Sequence, residues 1–382
     1  MTAQNFSPVE MLDCLVSFRT VAGTSNQDLI AFVADYLKGH GVLTHLLPGP
    51  EGDRSNLFAT IGDPSRPGYI LSGHVDVVPA GEPEWQSDPF VLRQHKDGRL
   101  IGRGSCDMKG YLAAILAMVP ALVAINPQTP IHLALSYDEE IGCRGVPHMI
   151  AALPDLCAAP LGAIIGEPSG LVPVLAHKGK AALSIEATGI SGHSSRTDLG
   201  VNAIHAILPV LVAARTQAEM LEKGPFDPRF IPACSSLQIG TISGGQAVNI
   251  IPDHAEVQIE ARAIAGVDPK SLFAPLLDAV ERENYSATKA KLAAHWISSY
   301  PALALPEDHP LVNVVAEISG HSPVAAVSYG SEAGLFQAAG IPAIICGPGD
   351  ISRAHKPEEY LTLSELNATA GMVMALANRL LA

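Results

Sequence analysis

Several short apolar runs in this chain lead directly to acidic residues or to histidine, and this repeated arrangement limits the fold more than any other feature. The run 68–71 leads to His74 and Asp76, and the run 131–137 is followed by Asp138-Glu139-Glu140. Continuous apolar runs of this length are typical of strands buried on both faces of a sheet. Sites in open α/β sheets form at the carboxyl ends of the strands, so the pattern predicts one site built from several strand ends.

Two further runs have the same organisation. Residues 161–166 lead to Glu167, and residues 342–346 lead through a Gly-Pro-Gly turn to His355. Three consecutive carboxylates at 138–140, directly after a buried strand, are hard to explain as a solvated face. We therefore expect these side chains to meet at one edge of the sheet.

The stretch 102–110 is rich in glycine and precedes a helix predicted from Tyr111. It matches neither the Walker pattern nor the dinucleotide fingerprint, which argues against a phosphate-binding loop. Glycine instead lets the main chain bring Asp107 into a crowded site. Cys106, beside it, is expected to be a small structural residue, since no His-based pairing for a nucleophile is evident.

The order of the predicted elements indicates two domains. A chain of 382 residues exceeds the size at which single cores usually stop growing. Between residues 180 and 297 the order changes to strand, helix, strand, strand, helix, strand, with predicted spans of 181–188, 201–221, 235–243, 254–264, 269–283 and 291–296. This order predicts a ferredoxin-like domain inserted into a discontinuous α/β domain of residues 1–179 and 298–382.

Capping signals predict three helices in the discontinuous domain. Ser7-Pro8-Val9-Glu10 has the pattern of an N-cap, a first-turn proline and a capping box. A second helix is predicted over 26–38, where glycines at 39 and 41 end it. A helical pattern over 361–381 closes the domain.

Charge and cysteine usage exclude several classes of partner. The formal net charge is -14, and no block of Lys and Arg is long enough to follow a phosphate backbone, so nucleic acid is not an expected partner. Six scattered cysteines without a C-x-x-C pair suit reduced thiols. With neither a signal-peptide pattern nor a bilayer-spanning run, a cytoplasmic protein without a membrane partner is expected.

Five of the candidate side chains form a set suited to metal binding, namely His74, Asp107, Glu140, Glu167 and His355. Two imidazoles and three carboxylates suit a pair of borderline cations such as Zn²⁺, with one carboxylate shared between them. Two cations about 3.5–4 Å apart can hold one water and lower its pKa from about 15.7 to about 7. Hydroxide is then available at neutral pH.

Glu139 and Glu140 are neighbours, and on an extended segment their side chains point in opposite directions. One can bind metal while the other takes a proton from the water and passes it to a leaving amine. These residues by themselves leave open which glutamate does which. His74 and Asp76, two apart on a strand, share a side, where the carboxylate can orient the imidazole.

Motifs spread along nearly the whole chain resemble those of the co-catalytic zinc aminoacylases and peptidases of family M20. The metal-site motifs are Ser72-Gly73-His74-Val75-Asp76-Val77-Val78-Pro79, Gly102 to Gly110, Asp138-Glu139-Glu140, Gly166-Glu167-Pro168 and Ala354-His355-Lys356-Pro357. Five such blocks in the same order are far more specific than any one of them. The resemblance implies an α/β fold whose zinc-exopeptidase-like catalytic domain, a mixed sheet flanked by helices, carries the inserted ferredoxin-like dimerisation domain.

The resemblance also implies a ligand set for two zinc ions per subunit, for which Co²⁺ can substitute. Asp107 would bridge the two ions. His74 and Glu167 would complete one site, and Glu140 and His355 would complete the other.

Further roles follow from the same resemblance. Glu139 would be the general base, with Asp76 as the orienting partner of His74. In the inserted domain, His193 would reach across a homodimer interface to stabilise the oxyanion. Asn249 and Arg262 would help to hold the substrate, although an ion pair at a strand end is a competing explanation for Arg262.

A Gly-rich loop supplies the remaining candidates. By the resemblance, the backbone of Gly330 and Ser331 faces the carboxylate of the substrate. Glu332 could contact the substrate's amine or simply cap the next helix. Asp138 is expected to fix its loop. The histidine at 132 is expected to be a packing or surface residue, and those at 95 and 177 are expected to lie at the surface.

The implied activity is hydrolysis of the acetyl amide of N2-acetyl-L-ornithine, a small acyl-amino acid, to L-ornithine and acetate, within arginine biosynthesis. A related deacylase or dipeptidase, such as a succinyl-diaminopimelate desuccinylase or a broader N-acyl-amino-acid hydrolase, is the same-class alternative. A catalytically silent ligand receptor would have lost the base or a ligand, and Asp107, Glu139 and Glu140 are all present. A phosphate-binding protein would instead bind nucleotide without metal.

Overall fold

A computed structural model describes residues 4–285 and 289–381. The chain divides into two compact units. The first unit comprises Met1–Ala176, Leu303–Ala325 and Ser331–Ala382, and the second comprises His177–Ala302 and Ala326–Gly330.

Helices and strands alternate through most of the described chain. The α-helices are α1 (Pro8–Ser17), α2 (Gln27–Gly39), α3 (Lys109–Ile125), α4 (Val146–Leu156), α5 (Ala203–Leu221), α6 (Ala274–Tyr285), α7 (Pro310–Ser319), α8 (Ala333–Ala338) and α9 (Leu363–Arg379). Short 3-10 helices cover Pro269–Phe273 and Ile351–Arg353. The strands are β1 (Leu43–Pro48), β2 (Ser55–Ile61), β3 (Tyr69–His74), β4 (Arg93–Gln94), β5 (Arg99–Ile101), β6 (Ile131–Ser136), β7 (Gly162–Pro168), β8 (Ala176–His177), β9 (Gly179–Thr188), β10 (Gly192–His193), β11 (Ser236–Gly244), β12 (Ile250–Ile251), β13 (His254–Ala263), β14 (Lys291–Tyr300), β15 (Leu303–Ala304), β16 (Ala343–Gly347) and β17 (Tyr360–Thr362).

The main sheet of the first unit is mixed. Its strand order is β1-β2-β6-β3-β7-β16. Strands β6, β3, β7 and β16 run parallel, whereas β2 pairs antiparallel with both β1 and β6. All six residues of β6 and all seven of β7 are buried, as their continuous apolar sequences predict. The carboxyl ends of β3, β6 and β7 therefore lie at one edge of the sheet.

Helices cover this sheet and close the core of the first unit. The predicted capping box at the start of α1 is present, since Ser7 accepts from the Glu10 N–H and Glu10 accepts from the Ser7 N–H. Helix α3 begins two residues after Asp107 and is buried through most of its length. This burial anchors the glycine-rich loop that precedes the helix. Helix α9 starts with a second capping box, between Thr362 and Glu365.

The second unit contains the predicted β-α-β-β-α-β order. Its antiparallel sheet has the strand order β11-β13-β9-β14, in which the first and third strands of the motif are neighbours, as in ferredoxin-like folds. Apolar residues of α5 and α6 pack with those of the sheet in one core. The expected fold class is confirmed. The last strand runs on to Tyr300, four residues beyond its predicted end.

None of the helices within 4–285 and 289–381 combines the length and the apolar character needed to cross a bilayer.

Candidate metal centre

Asp107 lies between two histidines in the first unit. Its Oδ1 is 3.1 Å from His74 Nε2, and its Oδ2 is 3.4 Å from His355 Nε2. Strand β3 ends at His74, and Asp107 stands in the glycine-rich loop before α3. Each oxygen of one carboxylate thus faces a different imidazole, which is an arrangement that two cations can share.

A further carboxylate stands beside each histidine. Glu167, near the carboxyl end of β7, places Oε1 3.9 Å from His74 Nε2. Glu140, after β6, places Oε2 2.9 Å from His355 Nε2. The structure therefore brings together all five side chains expected as ligands. Their assignment as ligands remains a prediction.

The loop after β6 is fixed by its neighbours. The Asp76 carboxylate accepts from the main-chain N–H groups of Glu139 at 3.2 Å and Glu140 at 3.1 Å. Asp138 accepts from the Gly23 N–H at 2.8 Å and pairs with Arg54, so it fixes the loop as expected. Asp138 has a φ of 54°, in the left-handed region, so the chain turns directly before Glu139.

His74 is oriented mainly by main chain. Its Nδ1 lies 2.8 Å from the carbonyl oxygen of Asp76 and 3.6 Å from the carboxylate Oδ1 of the same residue. The carbonyl accepts the Nδ1 proton, so Nε2 is the nitrogen that faces Asp107 and Glu167 and that is available to a cation. Asp76 thus acts on His74 chiefly through its backbone and on the 139–140 loop through its side chain.

Crowded charges shift the pKa values of the histidines and of Asp107. Burial alone would lower the pKa of His74, but Asp107, Asp76 and Glu167 outweigh it and hold that pKa well above its usual value. Hydrogen bonds to Asp107 and Glu140 raise the pKa of His355 to about 10. Burial would raise the pKa of Asp107, but both imidazoles hold it below its usual range.

The remaining carboxylates have the opposite shift. Burial, reinforced by neighbouring carboxylates, raises the pKa of Glu139 to about 8 and that of Glu140 to about 7, and it holds the pKa of Glu167 well above its usual value. Glu140 Oε1 is buried and has no hydrogen-bond partner among the described residues. Buried carboxylates at this density are stabilised in ionised form by bound cations.

The donor set fits two borderline divalent cations. Ligand atoms of His74, Asp107 and Glu140 lie within 4.8 Å of one another, as do those of His74, Glu139 and Glu167. Imidazole nitrogen with carboxylate oxygen is the combination typical of catalytic zinc sites. The second grouping includes Glu139, so the geometry allows Glu139 either as a ligand or as a proton carrier.

His355 stands on a strained backbone. Its φ is 58°, in the left-handed region that residues with a side chain seldom adopt, and its side chain is 52% exposed. A residue held in this region costs of order 1–3 kcal/mol and is common at ligand clamps. The surrounding loop, rather than local preference, therefore determines where the imidazole points.

Two candidates of the second unit lie together on paired short strands. His193 pairs with Ile250 across β10 and β12, and the Asn249 carbonyl accepts from the Ser194 N–H at 3.1 Å. Both His193 and Asn249 are exposed. The Ser195 N–H donates to His193 Nδ1 at 3.2 Å, which places the proton of a neutral ring on Nε2.

Arg262 and Gly330, also in the second unit, meet at Tyr300. Arg262 Nε donates to Glu260 at 2.8 Å, and Arg262 Nη1 donates to the Tyr300 hydroxyl at 3.3 Å. A Cβ added to Gly330 would lie 2.2 Å from that hydroxyl oxygen. Only glycine fits at 330, and Tyr300 sets the spacing between the two candidates. The strand-end ion pair expected as an alternative for Arg262 is present.

Ser331 and Glu332 are buried in the first unit. Ser331 is 0% exposed, and its hydroxyl oxygen accepts from the Ala333 N–H at 3.2 Å. Glu332 is 1% exposed and lies beside the hydroxyl groups of Ser136 and Ser72. Burial raises the pKa of Glu332 to about 7. Its side chain makes no capping hydrogen bond to α8.

Two buried histidines and one cysteine have structural roles. His132 bonds to Thr60 at 3.0 Å, as a packing residue. The expectation that His177 lies at the surface is wrong, because it is 0% exposed and packs edge-on against Tyr300. Cys106 is buried, which raises its pKa above the range of a reactive thiol.

Sequence reasoning missed two charged residues that bind the glycine-rich loop. Arg103 and Glu359 are each 1% exposed and form an ion pair of 2.9 Å. Each lies four residues from a candidate ligand, Asp107 and His355 respectively. The short spacing of each charge from a candidate ligand was the available signal.

Known proteins share both the sequence and the fold. Residues 70–379 match the model of peptidase family M20/M25/M40. The chain is 32% identical over 378 residues to an acetylornithine deacetylase of Photorhabdus laumondii, covering 96% of each chain. It is 33% identical over 357 residues to a protein of that name from Yersinia pseudotuberculosis, covering 91% of this chain and 90% of the relative.

Solved structures of low sequence identity have the same fold. An M20 family metallo-carboxypeptidase from Sulfolobus solfataricus superposes with a TM-score of 0.78 at 17% identity, over 97% of this chain and 98% of that one. A tripeptidase from Staphylococcus aureus gives 0.74 at 20% identity over all of both chains. The match of the family model, the curated relatives and the shared fold lead to one conclusion: the chain belongs to peptidase family M20/M25/M40.

Proposed function

We propose that this chain is a metal-dependent amidohydrolase that cleaves the acetyl amide of N2-acetyl-L-ornithine to give L-ornithine and acetate, a step of arginine biosynthesis. The observation that carries the proposal is the placement of Asp107 between His74 and His355, with one more carboxylate beside each imidazole. The choice of substrate is supported by relatives named acetylornithine deacetylase that cover more than nine-tenths of this chain.

Two cations, Zn²⁺ or Co²⁺ in its place, would be held by five side chains. Asp107 would be shared, His74 and Glu167 would complete one site, and Glu140 and His355 would complete the other. The bound cations would supply Lewis acidity towards the amide carbonyl and a water of lowered pKa.

Glu139 would move the proton. Burial raises the pKa of its carboxyl to about 8, close to the pH at which one group can both accept and donate a proton. Its carboxylate would take a proton from the attacking water and deliver it to the nitrogen of the departing amine. Its main-chain N–H is held by Asp76, which limits the positions that the side chain can reach.

Residues of the second unit and the loop at 330–332 would bind the substrate. The guanidinium of Arg262 suits a carboxylate of an amino acid, and Asn249 offers an amide donor. The backbone of Gly330 and Ser331 would hold the same end of the substrate. Glu332 would attract the cationic amine of the ornithine side chain, because its carboxyl is buried and makes no capping hydrogen bond to α8.

His193 would stabilise the oxyanion from the partner subunit of a homodimer. The protonated Nε2 of His193 is a suitable donor. Strand β11 lies at the edge of its sheet and is exposed along most of its length, with Ile242 58% exposed. Helix α5 exposes Leu208 and Val212. An open edge with apolar neighbours favours pairing with a second copy.

Six free cysteines suit a reducing compartment, and we propose the cytoplasm as the site of action.

An activity panel tests the proposal. The chelated enzyme, reloaded with Zn²⁺ or Co²⁺, is assayed with N2-acetyl-L-ornithine, N-succinyl-diaminopimelate and dipeptides, with release of the free amine as the readout. The highest kcat/KM is expected for the acetyl compound, and only after reloading. A higher value for the succinyl compound or for a dipeptide would overturn the choice of substrate, and full activity after chelation would overturn the mechanism.

A further inference from the structure

The Glu359 carboxylate accepts hydrogen bonds from three main-chain N–H groups of the loop that carries Asp107, and from the guanidinium of Arg103. Oε1 accepts from the N–H groups of Cys106 at 2.9 Å and of Asp107 at 3.0 Å. Oε2 accepts from the Gly104 N–H at 3.0 Å and from Arg103 Nη1 at 2.9 Å. One buried side chain thus binds three main-chain N–H groups of the loop, including that of Asp107 itself.

The main-chain carbonyl of Glu359 accepts two further hydrogen bonds from the same loop. Its carbonyl oxygen accepts from the Gly102 N–H at 3.0 Å and from the Ser105 hydroxyl at 3.3 Å. Gly104 adopts a φ of 80°, which favours glycine and turns its N–H towards the carboxylate. Glu359 therefore contributes acceptors to the loop in addition to the loop's own turn, in which the Ser105 N–H donates to the Gly102 carbonyl.

Arg103 extends the contacts to the two other loops that carry histidine ligands. Its Nη1 donates to the Lys356 carbonyl at 3.3 Å, and its Nη2 donates to the Pro79 carbonyl at 3.2 Å. Lys356 follows His355, and Pro79 lies five residues after His74. The ion pair of Arg103 and Glu359 consequently joins the segments on which both imidazoles and Asp107 stand.

We propose that Glu359 is a positioning residue of the metal centre, which with Arg103 fixes Asp107 at its place between the two histidines. The inference rests on the proposed metal site. The distance from Asp107 to the His355 imidazole depends on how the loop 102–107 lies against the segment 355–359, and Glu359 binds one to the other. A carboxylate with three N–H donors and a guanidinium forms charge-assisted bonds, which are short and stiff.

The alternative is that Glu359 only stabilises the fold. Its removal leaves a buried guanidinium and three N–H groups without their acceptor, which destabilises any protein. A positioning role predicts more than this, since the folded variant should also bind its cations less tightly. Partners in the outer shell of a metal site typically change metal affinity by about 10- to 100-fold.

The test is metal binding by the full-length Glu359→Gln variant. Chelated protein is titrated with Co²⁺, followed by visible absorption, and with Zn²⁺ in competition with a chromophoric chelator. The temperature is kept where circular dichroism shows the variant folded. We expect both cations to bind about 10- to 100-fold more weakly than in the wild type, because both share Asp107.

Two control variants distinguish an effect on the placement of Asp107 from an effect on the stability of the fold. Glu358→Gln changes the adjacent carboxylate, which accepts from the Gln86 N–H and pairs with Arg93, and it should bind metal as the wild type does. Leu37→Ala opens a cavity in the core of the first unit, far along the chain from every ligand, and should lower the melting temperature without changing metal affinity.

Each outcome has one meaning. Wild-type affinities in folded Glu359→Gln, with a lower melting temperature, would overturn the positioning role. A wild-type protein that binds neither Co²⁺ nor Zn²⁺ would overturn the proposed metal site itself. If Glu359→Gln does not fold, Arg103→Lys serves in its place, because it keeps the charge and loses the fork that reaches Pro79 and Lys356. It should bind Co²⁺ several-fold more weakly, and unchanged binding would contradict the inference.

Discussion

Most candidate site residues of the first unit are buried or half-buried and lie against one another, with His355 as the exposed member, whereas two of those in the second unit lie at its surface. His74, Glu167 and Asp107 are 1%, 4% and 5% exposed. His193 and Asn249 are exposed, and His193 accepts its hydrogen bonds from Ser195, two residues along the chain. The first group has a geometry imposed by sheet and loop packing, and the second has a geometry set locally.

This difference implies that the two groups of residues need different partners to reach their working geometry. Buried carboxylates beside imidazoles are costly without compensating charge, so the centre in the first unit is built for cations. In the proposed mechanism, the exposed imidazole on a short strand pair would reach its working position only when a substrate or a second subunit meets it. The two groups should therefore respond differently to mutation.

The largest effect is expected for Glu139→Gln, which removes the proton carrier from the buried group. The rate constant kcat should fall by about 10²- to 10⁴-fold, which is the usual contribution of a general base. Two cations should remain bound, as measured by elemental analysis of the dialysed protein. Loss of one cation would make Glu139 a ligand, which the grouping of His74, Glu139 and Glu167 also permits.

A somewhat smaller effect is expected for His193→Ala in the exposed group. Loss of one oxyanion donor typically lowers kcat by about 10²- to 10³-fold, with metal content and stability unchanged because the residue is exposed. His205→Ala, an exposed histidine on α5, is the matched control and should keep full activity.

Mixing subunits tests where His193 acts. Inactive His193→Ala and inactive Glu139→Ala are combined and allowed to exchange, so that a mixed dimer holds one intact site. Partial recovery of activity is expected, and its absence under demonstrated exchange would place His193 in the site of its own subunit.

The two units are alike in that each buries a neutral histidine, and this likeness gives a pH effect. Burial lowers the pKa of His132 to about 4, and it does the same for His177. The unfolded chain therefore binds more protons than the folded chain between pH 6.5 and 4, so stability falls as the pH drops through that range.

For His132 the loss at pH 5 relative to pH 7 should be about 2 kcal/mol in the free energy of unfolding. His132→Asn, which can still bond to Thr60, should reduce the pH dependence of urea unfolding by about that amount. The same slope in variant and wild type would contradict the assignment of a neutral imidazole.

The smallest effect is expected for Tyr300→Phe, which keeps the ring against Gly330 and removes the hydroxyl that Arg262 contacts. Loss of one hydrogen bond of about 1 kcal/mol should raise KM about fivefold and leave kcat nearly unchanged. Tyr285→Phe, at a tyrosine that is 90% exposed on α6, is the control. A fall in kcat without a change in KM would argue against a role in holding substrate.

The sequence predicted those parts of the fold that have long patterns of apolar residues. Apolar runs and their spacing predict the buried parallel strands and the β-α-β-β-α-β order, and both features are present. Strand β1 and helices α4 and α7 escaped prediction because short, partly exposed elements resemble loops in their sequence. The burial of His177 depends on Tyr300, 123 residues further along the chain, which local sequence does not show.

The meeting of the five candidate ligands could also be predicted, since carboxyl ends of parallel strands share one edge. The loop conformations could not. The left-handed backbone of His355 and the bonds from Glu359 to the Asp107 loop depend on contacts between segments about 250 residues apart. Sequence patterns identify which side chains gather at the centre, and tertiary contacts decide their orientation.

Anomalous diffraction at the zinc absorption edge, from crystals of the zinc-loaded protein, tests the central claim most directly. The account predicts two peaks per chain, each about 2.0–2.2 Å from an oxygen of Asp107. His74 and Glu167 should reach one peak, and Glu140 and His355 the other. A single peak, or peaks that Asp107 does not reach, would contradict it.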